Sequence, residues 1–248
     1  MKTSNKIFTS GIAIVCTLLL ASLIYLKKHV SSSSEKEGSE LKNENQNLEG
    51  FNKIHLTGNF DVKLNNGQHA IKISADERSL NNLDIKVQDS TLIIGMKKEG
   101  GLIIHSSEIN LEISYSMLNE LISTGNSDVE MITDNNTPSF EVVQIGNGEI
   151  KTRTKSNYFK ANLTGNGNIS NNGSADNIVL SMLGNGDIDL SETEASTAEV
   201  TLIGNGNFII QCKESIKGTL TGNGEIHYKG TDKVSVNKIG NGDVIKDN

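Results

Sequence analysis

The second half of the chain carries a pattern of apolar and polar positions that returns every 18 to 20 residues. The tripeptide Gly-Asn-Gly marks each return, and its first Gly stands at positions 146, 165, 184, 204, 222 and 240. Most positions six, four and two residues before that Gly, and four residues after it, are apolar, whereas the positions between them are mostly polar. This alternation has the period of a β-strand, not of a helix. It predicts two short strands in each repeat, one on either side of Gly-Asn-Gly.

The repeat keeps the same residue types in the same columns, which predicts that equivalent residues stack. The fold class is therefore predicted to be all-β, a single-stranded parallel β-helix (β-solenoid) with coils of about 19 residues. Successive coils would pair in parallel about 4.8 Å apart. A meander of hairpins is the competing topology, but it gives no reason for six copies of one column. The inward column four residues after the first Gly holds Ile150, Ile169, Ile188, Phe208, Ile226 and Val244.

The Gly-Asn-Gly corners are the only site residues that the sequence singles out, and their role is structural. Glycine accepts a positive φ at little cost, which suits a tight change of direction between strands. If the coils stack, the middle Asn side chains lie above one another and form a ladder of amide hydrogen bonds. The predicted ladder residues are Gly146, Asn147, Gly148, Gly165, Asn166, Gly167, Gly184, Asn185, Gly186, Gly204, Asn205, Gly206, Gly222, Asn223, Gly224, Gly240, Asn241 and Gly242.

The first half of the chain predicts a membrane segment, a linker and less regular coils. Residues 7–26 form a run of 20 without a charge, which as a helix spans about 30 Å. We read residues 1–30 as an N-terminal transmembrane anchor, with a cleaved signal peptide as the alternative. Residues 31–49 are polar and are read as a linker. Residues 50–124 hold short strand-like stretches that we expect to form opening coils capping residues 125–248.

Charge and cysteine content narrow the location and the chemistry. From residue 31 onward the chain carries 30 acidic and 19 basic side chains, and Arg occurs only twice in the whole sequence, which disfavours nucleic-acid partners. Cys16 lies in the apolar run and Cys212 stands alone downstream, so the exported part has no internal disulfide. The domain is expected outside the cytoplasm, in the periplasm or at the cell surface, or secreted if the N-terminal segment is cleaved.

No catalytic, cofactor or metal site is expected. The five His are scattered without metal-ligand spacing, and neither a nucleophile-elbow nor a phosphate-loop motif occurs. One column leaves an alternative open, because an acidic or amide residue stands three positions after each first Gly. Stacked oxygens of this kind could bind Ca²⁺, although solvated side chains that support the corner are the plainer interpretation. The column contains Asp61, Asp128, Glu149, Asn168, Asp187, Asn207, Glu225 and Asp243.

The segments that precede the repeats have a recognisable order, namely 51–62, 64–73, 91–94, 118–121 and 124–129. In this order, and together with the repeats, they resemble the bacterial exported proteins of the auto-transporter adhesin, head GIN domain family. Gly-Asn-Gly is a variant of the Gly-Ser-Gly corners that are common in that family. The resemblance implies a β-helical domain without a known catalytic set, and a role in adhesion.

Two classes of function, and a plainer third, remain open at this stage. The first is a non-enzymatic adhesion or binding module of the cell envelope, held at the membrane by its N-terminal helix. Its ligand would be a glycan or a protein at the surface, and it could form homo-oligomers. The second is a glycan-active envelope enzyme on a solenoid related to pectin lyases. The third is a purely structural envelope protein.

Overall fold

The structure is a computed structural model that describes residues 41–97 and 108–247. The predicted anchor, residues 1–30, and the first part of the predicted linker lie outside the described residues. Among the residues that are described, no helix has the length and apolar character needed to cross a membrane.

The described residues form twenty strands and one short helix. Asp76 caps the helix, because its Oδ1 accepts a hydrogen bond of 2.8 Å from the backbone N–H of Ser79. The elements are β1 (Lys42–Asn47), β2 (Lys53–Gly58), β3 (Asp61–Asn66), β4 (Ala70–Ala75), α1 (Glu77–Asn82), β5 (Leu83–Gln88), β6 (Thr91–Met96), β7 (Asn110–Tyr115), β8 (Glu120–Gly125), β9 (Asp128–Met131), β10 (Asn135–Asn136), β11 (Ser139–Gly146), β12 (Glu149–Thr152), β13 (Thr154–Gly165), β14 (Asn168–Asn171), β15 (Gly173–Gly184), β16 (Asp187–Gly204), β17 (Asn207–Gly222), β18 (Glu225–Gly230), β19 (Val234–Gly240) and β20 (Asp243–Lys246).

Strands one coil apart pair in parallel, which confirms a β-solenoid of about seven regular turns. One side of the solenoid stacks β8, β11, β13, β15, β16, β17 and β19, in that order. The register is exact at the corners, where Gly165 pairs with Gly184 and Gly184 with Gly204. The hairpin meander is therefore excluded, because its strands would pair with their neighbours in sequence.

The inward columns form one continuous apolar core. In the column after the corner, Ile150 pairs with Ile169, Ile169 with Ile188 and Ile188 with Phe208, and all four are completely buried. Each apolar side chain thus lies on an equivalent one from the next coil. Burial of these rows is the main favourable contribution to folding.

Several regular coils have a third strand segment where the sequence predicted a polar connection. β16 continues without a break through Ser191–Glu194, and Gly173 pairs in parallel with Thr193. The sequence pattern of this connection is typical of a loop, because the residues at its inward positions are polar. Asn171 and Thr193 nevertheless point inward and are buried, and hydrogen bonds between coils replace apolar contacts there.

The opening coils do not follow chain order in space. The coil of β2 and β3 lies between the coil of β6 and β7 and the coil of β8 and β9, and all of these pairings are parallel. Antiparallel strands β4, β5 and β1 cover the far side. Strand β1, at Lys42–Asn47, lies within the range 31–49 that the sequence predicted to be a linker. All six of its side chains are exposed, so hydropathy carries no sign of it, and its backbone pairing with β4 holds it.

The last described coil is closed by a charged side chain in an inward column. Lys238 takes the column that Leu220 occupies one coil earlier. Its Nζ donates to the carbonyl oxygen of Gly242 at 3.1 Å and to Asp243 Oδ1 at 2.9 Å. A lysine at this position places a charge on the edge of the sheet, which discourages further pairing there.

One inward position is polar without full hydrogen bonding, and it gives a stability prediction. Gln144 is completely buried, and neither its Oε1 nor the adjacent Ser123 Oγ has a hydrogen-bond partner among the described residues. The same column holds Leu163 one coil later. We expect Gln144→Leu to raise the unfolding free energy by about 1–2 kcal/mol and Tm by about 3–6 °C, because a buried unpaired acceptor is removed.

The measurement for Gln144→Leu is a thermal melt followed by circular dichroism. Gln144→Glu is the matched control, because it keeps the shape and buries a carboxylate, and it should lower Tm. An unchanged or lower Tm for Gln144→Leu would show that Oε1 is satisfied in solution.

Candidate functional site

The Asn side chains of the corners form one hydrogen-bonded ladder along the outside of the solenoid. Each Nδ2 donates to the Oδ1 of the Asn one coil earlier; for Asn185 and Asn166 the distance is 2.8 Å. The remaining steps measure between 2.7 and 3.2 Å. The ladder reaches beyond the regular repeats to the two degenerate corners. Its members are Asn59, Asn126, Asn147, Asn166, Asn185, Asn205, Asn223 and Asn241.

A Cβ on either glycine of a corner would collide with the preceding coil, and the first glycine also has a backbone conformation that L side chains rarely adopt. The first adopts a positive φ, +142° at Gly204. The second lies against the preceding coil, since a Cβ at Gly206 would come within 1.9 Å of the carbonyl oxygen of Gly186. Positive φ is confined to the first residue of each regular Gly-Asn-Gly corner. In the described part of the chain, the non-glycine residues with positive φ are Asp89 and Ser90, in the β5–β6 turn.

Four members of the acidic and amide column beside the corners support the backbone of the next coil. Asp128 Oδ1 accepts from the backbone N–H of Glu149 at 2.8 Å, and Asp187 Oδ1 accepts from the N–H of Asn207 at 3.1 Å. Asn168 and Asn207 make the same bond one coil further on. These oxygens are thus engaged in coil-to-coil hydrogen bonds. Over residues 41–97 and 108–247, no group of three or more His, Cys, Asp or Glu side chains is arranged to hold a metal ion.

A concavity of about 360 Å³ lies over the outer faces of β3, β7, β9 and β12. Burial raises the pKa of Asp61 above its usual range, and the nearby carboxylates of Glu108 and Asp128 raise it further. Lys151 Nζ lies 2.7 Å from Glu149 Oε2, which raises the pKa of that lysine. The described residues that line it offer carboxylates and amines but no aromatic ring on which a sugar could stack. Its charged members are Asp61, Lys63, Glu112, Asp128, Glu130, Glu149 and Lys151.

A second, internal polar network was missed at the level of sequence. Asn171 is buried, and its Oδ1 accepts from Thr152 Oγ1 at 2.8 Å and from the N–H of Thr154 at 2.9 Å. Its Nδ2 donates to Thr193 Oγ1 at 3.0 Å. Asn135 is equally buried and bonds to the backbone of Leu118 on both sides of its amide. The sequence does carry one sign of this network. Asn171 stands two residues after the inward Ile169, and residues two apart in a strand face the same side.

A charged triad ties the last strands together and makes stability depend on pH. His227 Nε2 lies 2.8 Å from Glu225 Oε2, and its Nδ1 lies 3.2 Å from Asp247 Oδ1. Hydrogen bonds to Glu225 and then to Asp247 raise the pKa of His227 above its ordinary value of 6.5. Since the folded state favours the charged imidazolium, this stabilisation is complete below the unfolded pKa and is lost as the pH rises through the folded pKa.

We therefore expect wild type to exceed His227→Gln in Tm by about 1–2 °C at acidic pH, and this difference to vanish as the pH rises past the folded pKa. The measurement is a series of melts of both proteins between about pH 5.5 and pH 8.5. A difference that is constant over the series would contradict the role given to His227.

Comparisons with known proteins agree with the fold. Solved structures with the same fold include a "putative adhesin" of Bacteroides fragilis (TM-score 0.75, 21% identity, 84% of this chain and 97% of that chain covered). A "putative lipid binding protein" of Parabacteroides distasonis has a TM-score of 0.70 at 18% identity over 84% and 97% of the two chains. A "putative adhesin" of Parabacteroides merdae has a TM-score of 0.68 at 22% identity, with the same coverage. At these identities the likeness shows the fold alone.

A comparison with curated protein sequences gives no match. The family model described as "Putative auto-transporter adhesin, head GIN domain" matches residues 50–231. That range begins just before β2 and includes the opening coils and most of the regular turns, in agreement with the resemblance seen in the sequence. The chain therefore belongs to the auto-transporter adhesin, head GIN domain family.

Proposed function

We propose that this protein is a non-enzymatic binding or adhesion module of the cell envelope, which presents a rigid solenoid surface outside the cytoplasm. The observation that carries the proposal is the uninterrupted Asn ladder on the outer edge of eight coils. It repeats one donor and acceptor pattern at each coil, about 4.8 Å apart. An extended glycan or protein ligand could contact such a surface over many coils.

The rigidity of the surface follows from its hydrogen bonding. Every regular coil is bonded to its neighbours through the backbone ladder and through the corner amides. Ion pairs cross between coils on the outside as well, such as Lys160 with Glu141 at 3.0 Å and Lys213 with Glu194 at 2.8 Å. A ligand that binds a preordered surface meets little entropic cost from ordering the protein.

The proposed location rests on the N-terminal sequence and on the family. The uncharged run 7–26 and the polar residues after it are typical of an anchor followed by an exported domain. The family is described as adhesin-like, which fits a domain beyond the membrane.

The proposal is tested by two measurements on the full chain. If the solenoid lies at the cell surface, protease added to intact cells should digest it. If it lies in the periplasm, protease should digest it once the outer membrane has been permeabilised. The protein should bind to an array of envelope glycans or to captured envelope proteins, and it should release no reaction product from them. A solenoid protected until the cytoplasmic membrane is broken would contradict the location, and an empty binding screen would contradict the binding role.

A second candidate, a glycan-active envelope enzyme, is favoured only by the concavity around Asp61 and the raised pKa of that carboxyl. This alternative predicts release of reducing ends from an envelope glycan, and loss of that release in Asp61→Asn. The binding role predicts no release by either protein.

A further inference from the structure

One outer face of the solenoid carries a row of exposed aliphatic side chains. We call it the Leu183 face and define it as the outward residues of β8, β11, β13, β15, β16, β17 and β19. Ile145, Leu183, Ile203 and Ile239 are 44%, 56%, 45% and 60% exposed and occupy the position just before the corner Gly. Each lies one or two coils from the next in a single parallel register. Aligned apolar side chains on a flat sheet are typical of an interaction surface.

The residues at equal distances on the two sides of Leu183 in this row are complementary, because one is an Ile and the other a Thr. One coil before Leu183 this row holds Thr164, and one coil after it the row holds Ile203. Two coils away stand Ile145 on one side and Thr221 on the other. Reversing the coil order about Leu183 therefore lays each Ile on a Thr.

A second row of the same face, which contains charged residues, is complementary in the same way. Four residues before Leu183 stands Val179, with Lys160 one coil before it and Glu199 one coil after it. Two coils away stand Glu141 and Lys217. Reversal about Val179 places each lysine opposite a glutamate. Both rows thus complement their own reversed copies about the same strand, β15.

We propose that the Leu183 face is a homodimer interface, with a two-fold axis along Val179–Leu183 of β15. A two-fold axis in this direction keeps each row over itself and reverses the order of the coils. It brings Leu183 against Leu183 of a second copy, Thr164 against Ile203, and Lys160 against Glu199. The two faces would pack about 10 Å apart, as stacked sheets do.

The size of the face is sufficient for a stable dimer. Seven strands about 4.8 Å apart, each offering five residues about 3.3 Å apart, cover about 600 Å² with their side-chain margins. Two copies would bury about 1,200 Å², at the lower end of the range for specific interfaces. The charge complementarity selects a second copy over an unrelated apolar partner, because an unrelated surface would have to match the order of Glu141, Lys160, Glu199 and Lys217 by chance.

The first test is sedimentation velocity of the full chain in a mild detergent. Wild type should sediment as a dimer of 26.7 kDa protomers. Leu183→Lys should raise the dimer dissociation constant by at least about 100-fold, because the axis places the two new ammonium groups together at the centre. Ile132→Lys is the matched control, since Ile132 is 43% exposed but lies off this face, and it should remain a dimer.

The second test is cross-linking in a Cys16→Ser background, where the remaining native thiol, Cys212, is buried. Leu183→Cys should be joined to a second copy by a short bismaleimide, and Ile132→Cys should not. A monomeric wild type would overturn the proposal, as would a dimer unaffected by Leu183→Lys or equal cross-linking of the two cysteines. Loss of binding to another envelope component in Leu183→Lys, with unchanged mass, would assign the face to a different partner and also overturn it.

Discussion

Replacing Ile188 by Asp is expected to abolish folding of the solenoid. Ile188 is completely buried and pairs with Ile169 on one side and Phe208 on the other. A carboxylate there loses its hydration and meets only apolar neighbours above and below, which costs several kcal/mol in addition to about 2 kcal/mol of lost apolar burial. The sum is comparable with the total stability of a domain of this size.

The measurement is circular dichroism of the purified chain together with its thermal melt. Ile132→Asp provides the control, because the same change is made where the side chain is 43% exposed, and its melt should stay close to that of wild type. An intact β signal and an unchanged melt for Ile188→Asp would show that this column does not face the core.

Gly204→Ala is expected to have the second largest effect, a loss of about 4 kcal/mol or more. Gly204 has a φ of +142°, which an L side chain rarely adopts, and a Cβ there would lie 1.8 Å from the carbonyl oxygen of Gly184. Relief of this overlap requires the corner to move away from the preceding coil. That movement would weaken the bond of 3.1 Å from the N–H of Asn205 to Gly184 and the amide bond of 2.7 Å from Asn205 to Asn185.

Chemical denaturation with urea measures this loss as a lower midpoint. Gly50→Ala is the control, because no atom lies within 4 Å of the added methyl group. Its unfolding free energy should differ from that of wild type by less than about 0.5 kcal/mol. Equal midpoints for Gly204→Ala and wild type would mean that the corners tolerate a Cβ and that the stacking distance is larger than described.

The sequence and the fold agree best where one residue type determines both local conformation and stacking. The Gly at position 204 and the Ile at position 188 each recur at the repeat spacing, so the period alone predicts that coils stack and which side chains face inward. The Asn ladder follows from the same argument, because stacking leaves the amides of Asn185 and Asn166 no closer neighbours than each other.

The agreement ends at the inward-facing polar residues. A hydropathy pattern cannot separate a buried Asn171 from a solvated one, because the difference lies in partners on other coils, Thr152 and Thr193. The same holds for the Leu183 face. Its residues are visible in the sequence, but their alignment becomes meaningful only when the register between coils is known.

The chain alone determined the repeat, the parity of its columns and the family to which it belongs. Tertiary structure decided the third strand segment of several regular coils, the insertion of the β2–β3 coil between later strands, and the pairing of β1 with β4. The physical reason is that a strand edge offers the same backbone donors and acceptors to any extended segment whose alternate residues suit the two faces of the sheet. Which segment occupies it depends on contacts far away in sequence, and those contacts leave no local pattern.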